Sequence, residues 1–507
     1  MAKTGTFYQE AAQLLCIASS KTTSLRNAYF NQKSTKSKAV YALVAKCLRV
    51  QSVIIAALKE VGALKGNTSH IKSPKSNACT ACLLSIAAFD VSCPRRSFGS
   101  RRDALKLLQQ HGPSHNIASS LRRIIKSGVK SGETFCLVIV LANANETITQ
   151  KIPVYARVIA PMDKVIETLS DGESFSQISY DHGVTSYKKF IKLVKELKIG
   201  EFIRDYHFPY LLLLFAPGTD LHLSPIITSK LAVVQDKASC LPPLVLLDAI
   251  SLLQLPSIKI LDACAAPGNK TTLLLSGLKD FSQCSEVIAL DRDRRRFDQL
   301  CKNLKGFDKD ISYVNGEVKN PEAKSNIACD ARLCDFLNID PMIDEDFSDV
   351  TAIIVDPTCT GSGLRSKCPE LVAESEDQEE TSRVERLASL QAKILRHALS
   401  FPSVLSVVYS TCSVYQQENE GVIIDVINSG AANDFELLSV WKKRNKRQDN
   451  DTPVSRFTPQ ARWKSRGRIE GTEEEDDVNQ LMSRCLRSST ERDLTIGFFV
   501  ACFKRKE

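Results

Sequence analysis

At 507 residues, with hydrophobic residues at 43% and charged residues at 25%, the chain has the make-up of a soluble globular protein. Domains run roughly 100–200 residues each, so two or three units are expected. The N-terminus has no apolar core of signal-peptide type, and no apolar run reaches the roughly 18–20 residues of a membrane span; the sequence thus reads as cytosolic or nuclear, with its 17 cysteines as reduced thiols.

Charge is uneven along the chain. Residues 1–130 hold 21 Lys and Arg against 4 Asp and Glu, a balance of +17. The whole chain carries +9, so the remainder is mildly acidic. A basic segment joined to an acidic one fits an electrostatic docking arm for nucleic acid, and a well-solvated helical domain is the alternative.

In chain order, Tyr8–Ile17 and Ala39–Leu64 place apolar residues at three- and four-residue steps, the period of an amphipathic helix, and Arg101–Leu108 and Ile117–Ile125 repeat it. Between them lies Cys79-x-x-Cys82, with Cys93 as a third sulfur. A zinc site needs four ligands, so no metal is expected and these thiols read as core residues. Thr134–Leu141 and Val154–Ile159 read as strands, with Val165–Leu169 and Ser186–Leu197 as helices. From 226 onward, strands at 258–262, 287–291, 352–356 and 407–411 alternate with helices, the pattern of a buried parallel sheet covered on both faces. The segment 441–480, with basic clusters and the acidic run 473–477, reads as a flexible loop, and Gly497–Phe503 as a closing strand. The expected organisation is a basic helical N-terminal domain over 1–134, suited to RNA, a small mixed α/β module over 135–225 and an α/β domain over 226–507.

Ligands of open α/β sheets bind beyond the C-terminal strand ends. The turn after the first strand is Ala263-Cys264-Ala265-Ala266-Pro267-Gly268-Asn269-Lys270-Thr271. Its small residues let a ligand approach the backbone, and the helix N-terminus that follows favours a carboxylate such as that of S-adenosylmethionine. Neither GxxxxGK[ST] nor GxGxxG is present there. Asp291 ends the next strand, where an acid accepts ribose hydroxyls. Arg296 reads equally as a cofactor contact or as part of a solvated helix face.

The third and fourth strands lead into Asp356-Pro357-Thr358-Cys359-Thr360-Gly361 and Thr411-Cys412-Ser413, which puts one thiol at each strand end. Carbon 5 of cytosine is too weak a nucleophile to accept a methyl group unaided. Thiolate addition at C6 turns C5 into an enamine carbon, and a base must then remove the C5 proton so that the thiol can leave. Asp356, beside Cys359, is placed to stabilise the ring near N3.

These motifs together resemble those of the Nol/Nop/Sun family of RNA 5-methylcytosine methyltransferases. The Gly268-Asn269-Lys270 variant, Gln235–Pro242 and Gly497–Ala501 are similar to the branch acting on large-subunit ribosomal RNA. The resemblance covers residues 220–430 well, 1–75 moderately and 76–200 poorly. It implies a Rossmann-like, S-adenosylmethionine-dependent methyltransferase domain preceded by the helical domain and the small module. It implies Cys412 as nucleophile and Cys359 as the cysteine that helps release product. Cys264, Ala265, Ala266, Pro267, Gly268, Asn269, Lys270, Asp291, Arg296 and Asp356 match cofactor-pocket positions, with Asp356 also facing the base. Asp335 matches the acid near the adenine, with Asp330 as a substitute. The family's Arg-Val-Asn-Thr stands here as Arg157-Val158-Ile159-Ala160, without the asparagine. The implied partner is ribosomal RNA or a pre-ribosomal particle met by a monomer in the nucleolus, without metal or membrane. A non-catalytic assembly factor with the same fold is the alternative.

Overall fold

The computed structural model describes residues 4–19, 38–48 and 80–92, scattered positions between 54 and 106, and residues 152–507 apart from 172–173, 183, 252, 254, 282, 306, 308–311, 315–325, 365–377, 442–456 and 470–474. The described residues up to 106 belong to one compact unit and those from 152 onward to a second.

In the first unit, α1 (Thr4–Ser19), α2 (Lys38–Leu48) and α3 (Thr80–Ser92) pack around one apolar core. Tyr8, Leu14, Leu43, Cys82 and Phe89 are buried in it, and the Tyr8 hydroxyl donates to Asp90 at 2.6 Å. Cys82 is thus a core thiol; Cys79, Cys93, the strand expected at 134–141 and the helix at 117–125 lie outside the described residues.

The second unit holds two sheets. The smaller is built from β1 (Val154–Val158), β2 (Ser176–Gln177), β3 (Glu201–Arg204), β4 (Leu212–Phe215) and β5 (Ala232–Val234), in the order β2-β3-β4-β1-β5. α4 (Met162–Ser170) and α5 (Tyr187–Glu196) accompany it. This sheet runs on to Val234, past the boundary expected at 225, because β5 pairs antiparallel with β1.

After α6 (Lys237–Ser251) the chain enters the larger sheet through β6 (Ser257–Asp262), α7 (Asn269–Leu278), β7 (Cys284–Asp291), α8 (Arg294–Lys305), β8 (Ser312–Val314) and β9 (Ile327–Leu333). It continues with β10 (Ala352–Val355), α9 (Gln378–Leu399), β11 (Ser406–Thr411), α10 (Glu420–Asn428), β12 (Phe435–Leu437), α11 (Glu475–Met482), β13 (Leu486–Ser488) and β14 (Phe498–Arg505). The strand order is β12-β14-β11-β10-β6-β7-β9-β8, with β13 also on β14. From β8 to β11 the pairs are parallel, and β14 closes antiparallel to β11. Side chains alternate between two cores: Ile258, Ile260 and Ile354 face the core shared with α6, α7 and α8, whereas Leu261, Ile353 and Val355 face that of α9 and α10. Burial on both faces is why these strands read as unbroken apolar runs.

Two buried polar contacts fasten the small sheet to the large one. Arg157 donates to Gln235 Oε1 at 2.6 Å and to Thr272 Oγ1 of α7 at 2.8 Å. Lys237 Nζ donates to Asp205 Oδ2 at 2.8 Å and to His207 Nδ1 at 2.9 Å. Burial and the Lys237 ammonium push His207 well below the usual imidazole range, so its ring is neutral and accepts. Lys237→Ala would leave the Asp205 carboxylate buried without its cation. We expect a loss of about 3–5 kcal/mol, read as a lower denaturant midpoint; an unchanged midpoint would show that the pair is dispensable.

Part of the stretch expected as a flexible loop is packed. Phe457, Trp463 and Ile469 are buried, and the Trp463 indole donates to the Arg487 carbonyl at 2.8 Å. Isolated apolar residues in a polar run are invisible as a periodic pattern, yet each fills a socket that distant segments create. No helix among the described residues is long and apolar enough to cross a membrane. No cluster of His, Cys, Asp or Glu among them is arranged to hold a metal ion.

Candidate active site at the strand ends

The strand order reverses between β6 and β10, and the functional side chains gather at the C-terminal ends of the strands on either side of that point. β6 ends on Asp262, which is buried and accepts from Thr271 Oγ1 at 2.7 Å. Burial raises its pKa to about 6, against the Thr271 hydrogen bond that lowers it. The turn that follows is tied down by main-chain bonds from Ala265 to Leu290 and from Gly268 to Ala265, each 2.7 Å. Gly268 caps α7 with φ +104°, and a Cβ there would also lie 2.9 Å from Leu300 Cδ1. The conformation demands glycine.

Asp291, at the end of β7, accepts from the main-chain N–H of Asp293 at 3.0 Å and of Ala266 at 3.3 Å. Arg296 pairs with Asp291 at 3.2 Å and donates to the Ala266 carbonyl at 2.9 Å, so it braces both the acid and the turn. An open cleft lies here, lined by Cys264, Asp291, Arg296, Asp335, Phe336 and Leu337 among others. Burial pushes the Cys264 thiol well up, which keeps it an uncharged wall. Asp335 caps the short turn after β9 by accepting from Leu337 N at 3.1 Å, with Arg292 at 3.5 Å from its other oxygen. Asp330, the substitute, points elsewhere and pairs with Arg332 at 2.7 Å.

Beyond β10 and β11 lie the thiols. Cys359 Sγ and Cys412 Sγ are 3.1 Å apart. Beside them Asp356 accepts from Lys270 Nζ at 2.6 Å and from Ser410 Oγ at 2.7 Å. With the Cys359 thiol as donor, the contact between the thiols lowers the Cys412 pKa; burial and Asp356 oppose this, and the Lys270 ammonium assists. The same hydrogen bond, with burial, pushes Cys359 up. Burial works against the charge on Lys270, but Asp356 outweighs it and raises the Lys270 pKa. The two thiols are therefore unequal, with Cys412 favoured as thiolate.

The Cys412 carbonyl accepts from Gly363 N at 2.9 Å. A Cβ on Gly363 would lie 2.0 Å from the Gly497 carbonyl oxygen and 2.7 Å from that of Cys412. Gly363→Ala should therefore displace the Cys412 loop, reduce activity and cost about 1–3 kcal/mol of stability. Wild-type activity at wild-type stability would contradict this tight packing.

Of the residues singled out from sequence, Cys264, Asp291, Arg296 and Asp335 line the cleft, while Lys270 and Asp356 join the thiols. Ala265 and Ala266 are buried in the turn, Pro267 and Gly268 shape it, and Asn269 opens α7. Arg157, in β1, is buried with its guanidinium donating to Thr272 of α7, and Ile159, where the family pattern has asparagine, sits just past β1. Sequence reasoning passed over Ser410, Phe336, Leu337 and Thr358. Each lies within two residues of one that it did find.

An open, largely parallel sheet closed by an antiparallel strand, with its cleft at the switch point, is the architecture of the Rossmann-like methyltransferases. The solved structure of PH0851 shares the fold, with a TM-score of 0.55 at 17% identity over the full length of both chains. Residues 250–465 match the family model described as 16S rRNA methyltransferase RsmB/F. The chain is 29% identical to the mouse 28S rRNA (cytosine-C(5))-methyltransferase, over 99% of this chain and 91% of that one. It is 30% identical to the Caenorhabditis elegans 26S rRNA (cytosine-C(5))-methyltransferase nsun-5, over 70% and 68%. The chain belongs to the Nol/Nop/Sun family of RNA cytosine-C5 methyltransferases, alongside enzymes of large-subunit ribosomal RNA.

Proposed function

We propose that this enzyme methylates C5 of a cytosine in large-subunit ribosomal RNA, with S-adenosylmethionine as methyl donor and Cys412 as nucleophile. The observation that carries the chemistry is the 3.1 Å thiol pair with Lys270 and Asp356 beside it. The residues of the cleft fit a nucleoside cofactor: Asp291 suits ribose hydroxyls, and Phe336 and Leu337 offer an apolar wall beside the Asp335 carboxylate. When bound, S-adenosylmethionine supplies an electrophilic methyl group.

The protein's own groups do the rest. The Cys412 thiolate adds to C6 of the ring, and Asp356 steadies the charge near N3. Carbon 5, now nucleophilic, takes the methyl group and then gives up its proton to a base. The C6–S bond breaks and Cys412 returns as thiolate, with Cys359 assisting release. The target base has to leave its stack to reach the thiols, so a loop or locally opened helix is the expected site. The basic residues 1–134 supply phosphate contacts, and the nucleolus is the place of action. Incubation with labelled S-adenosylmethionine and ribosomal RNA lacking the mark should place label on cytosine C5. Folded, cofactor-binding protein that labels no RNA would overturn the proposal.

A further inference from the structure

The turn that carries Cys359 is held from beneath by a buried pair that none of the reacting atoms touches. The Glu418 side chain is fully buried, with no cation paired to it among the described residues. Its Oε1 accepts from Thr360 N at 3.0 Å and from Gln391 Nε2 at 2.9 Å, and its Oε2 accepts from Thr360 Oγ1 at 2.6 Å. Gln391, from α9, also donates to the Thr358 carbonyl at 3.1 Å. The Tyr409 hydroxyl of β11 donates to the Glu418 carbonyl at 2.6 Å, fixing the clamp to the strand that presents Cys412. Both neighbours of Cys359 are thus anchored to a common point. Buried carboxylates are costly unless well satisfied, and this one accepts twice from the Cys359 turn and once from Gln391, which itself holds that turn.

We propose that Glu418, with Gln391, is a positioning residue that sets the thiol–thiol distance and thereby keeps the Cys359 thiol donating to Cys412. The inference rests on the reading of the two cysteines given above. Glu418→Ala should let the turn drift and weaken that donation. Cys412 then becomes harder to deprotonate, and its alkylation by iodoacetamide, followed site by site, moves to higher pH. Methyl transfer at neutral pH falls about tenfold, a normal size for a coupled pair of side chains, while cofactor affinity holds. In a Cys359→Ala background the same substitution should shift the profile no further, which a general loss of structure would not reproduce. An unmoved profile, or effects that add in the double variant, overturns the proposal. Thr360→Val removes the 2.6 Å donor, together with the longer contacts of the same hydroxyl to Ser362 and Ser413, and provides the same test should Glu418→Ala fail to fold. Alkylation needs no RNA, so absent methylation in the wild type would refute the functional reading without touching this one.

A separate observation concerns α5. Its inner face buries Phe190 and Val194, while Lys188, Lys189, Lys192 and Lys195 are exposed, followed by exposed Lys198. Lys188, Lys192 and Lys195 recur at four and three residues, which aligns them along one face over about 10 Å. None forms an ion pair among the described residues. Next to the helix start, the partly buried His182 and Tyr206 rings stack at 4.6 Å, and Tyr187 lies 5.1 Å from Tyr206. A cationic track beside aromatic rings suits single-stranded nucleic acid.

The geometry points to α5 as a contact for the phosphate backbone of the RNA substrate, again resting on the functional reading. Fluorescence anisotropy with a single-stranded RNA tests it in the full chain. The triple variant Lys188→Glu, Lys192→Glu, Lys195→Glu should bind at least tenfold more weakly, and its log–log salt slope should fall by about 2, near 0.7 per lost contact. Wild-type affinity and slope in the variant overturn it. A wild type that binds RNA through these lysines yet methylates none would fault the functional reading alone.

Discussion

Replacing Cys412 by alanine should abolish methyl transfer, by about four orders of magnitude or more, as removal of a nucleophile does in other covalent enzymes. Without addition at C6, carbon 5 stays too weak to take the methyl group. Cys359 does not substitute, because hydrogen bonding and burial both push its thiol up and it leaves a different strand end. The cleft is lined by other residues, so cofactor affinity should persist. Single-turnover transfer of labelled methyl measures this; substantial transfer by the variant would assign the nucleophile elsewhere. A biological function that survives Cys412→Ala would indicate a scaffolding role alongside catalysis.

Cys359→Ala should behave differently. Addition and methylation still proceed, but release is impaired, so a denaturant-resistant protein–RNA adduct accumulates and turnover falls about 10²-fold, the scale of a lost proton-transfer partner. The pH dependence carries a second sign. In the wild type, the thiol donated by Cys359 lowers the Cys412 pKa, so thiolate forms at lower pH than for an ordinary thiol near 8.5. Removing the donor raises that pKa. Adduct formation should then rise with pH later than in the wild type, while burial continues to oppose the charge. Adduct absent from a gel, or a profile moved to lower pH, would break the division of labour between the two cysteines.

The catalytic half of the fold was legible because its strands are buried on both faces. Continuous runs such as Ala352–Val355 and Ser406–Thr411 leave few other readings, and their ends marked where Asp356 and Cys412 lie. The turn at 263–270 was legible because a run of small residues between an apolar strand and a helix is a local signal. Less was legible where a residue's role depends on a remote partner. Glu418 in Gln417-Glu418-Asn419 looks like any charge before a helix, and Gln391 like any polar residue of a long one. Trp463 lies in a polar stretch and is buried against His207, with ring centroids 4.9 Å apart, although 256 positions separate them in the chain.

The sequence by itself determined the groups on offer: two thiols, each in a strand-end turn, acids at the other strand ends, and a turn of small residues after the first strand of the large sheet. Local pattern suffices there, since strand periodicity and turn composition are short-range properties. Only the tertiary structure decided that the thiols stand 3.1 Å apart and which of them is favoured as thiolate. That asymmetry arises from the hydrogen bond between the two thiols, with Lys270 assisting Cys412 against burial and Asp356, groups from three strand ends that meet only when the sheet is assembled.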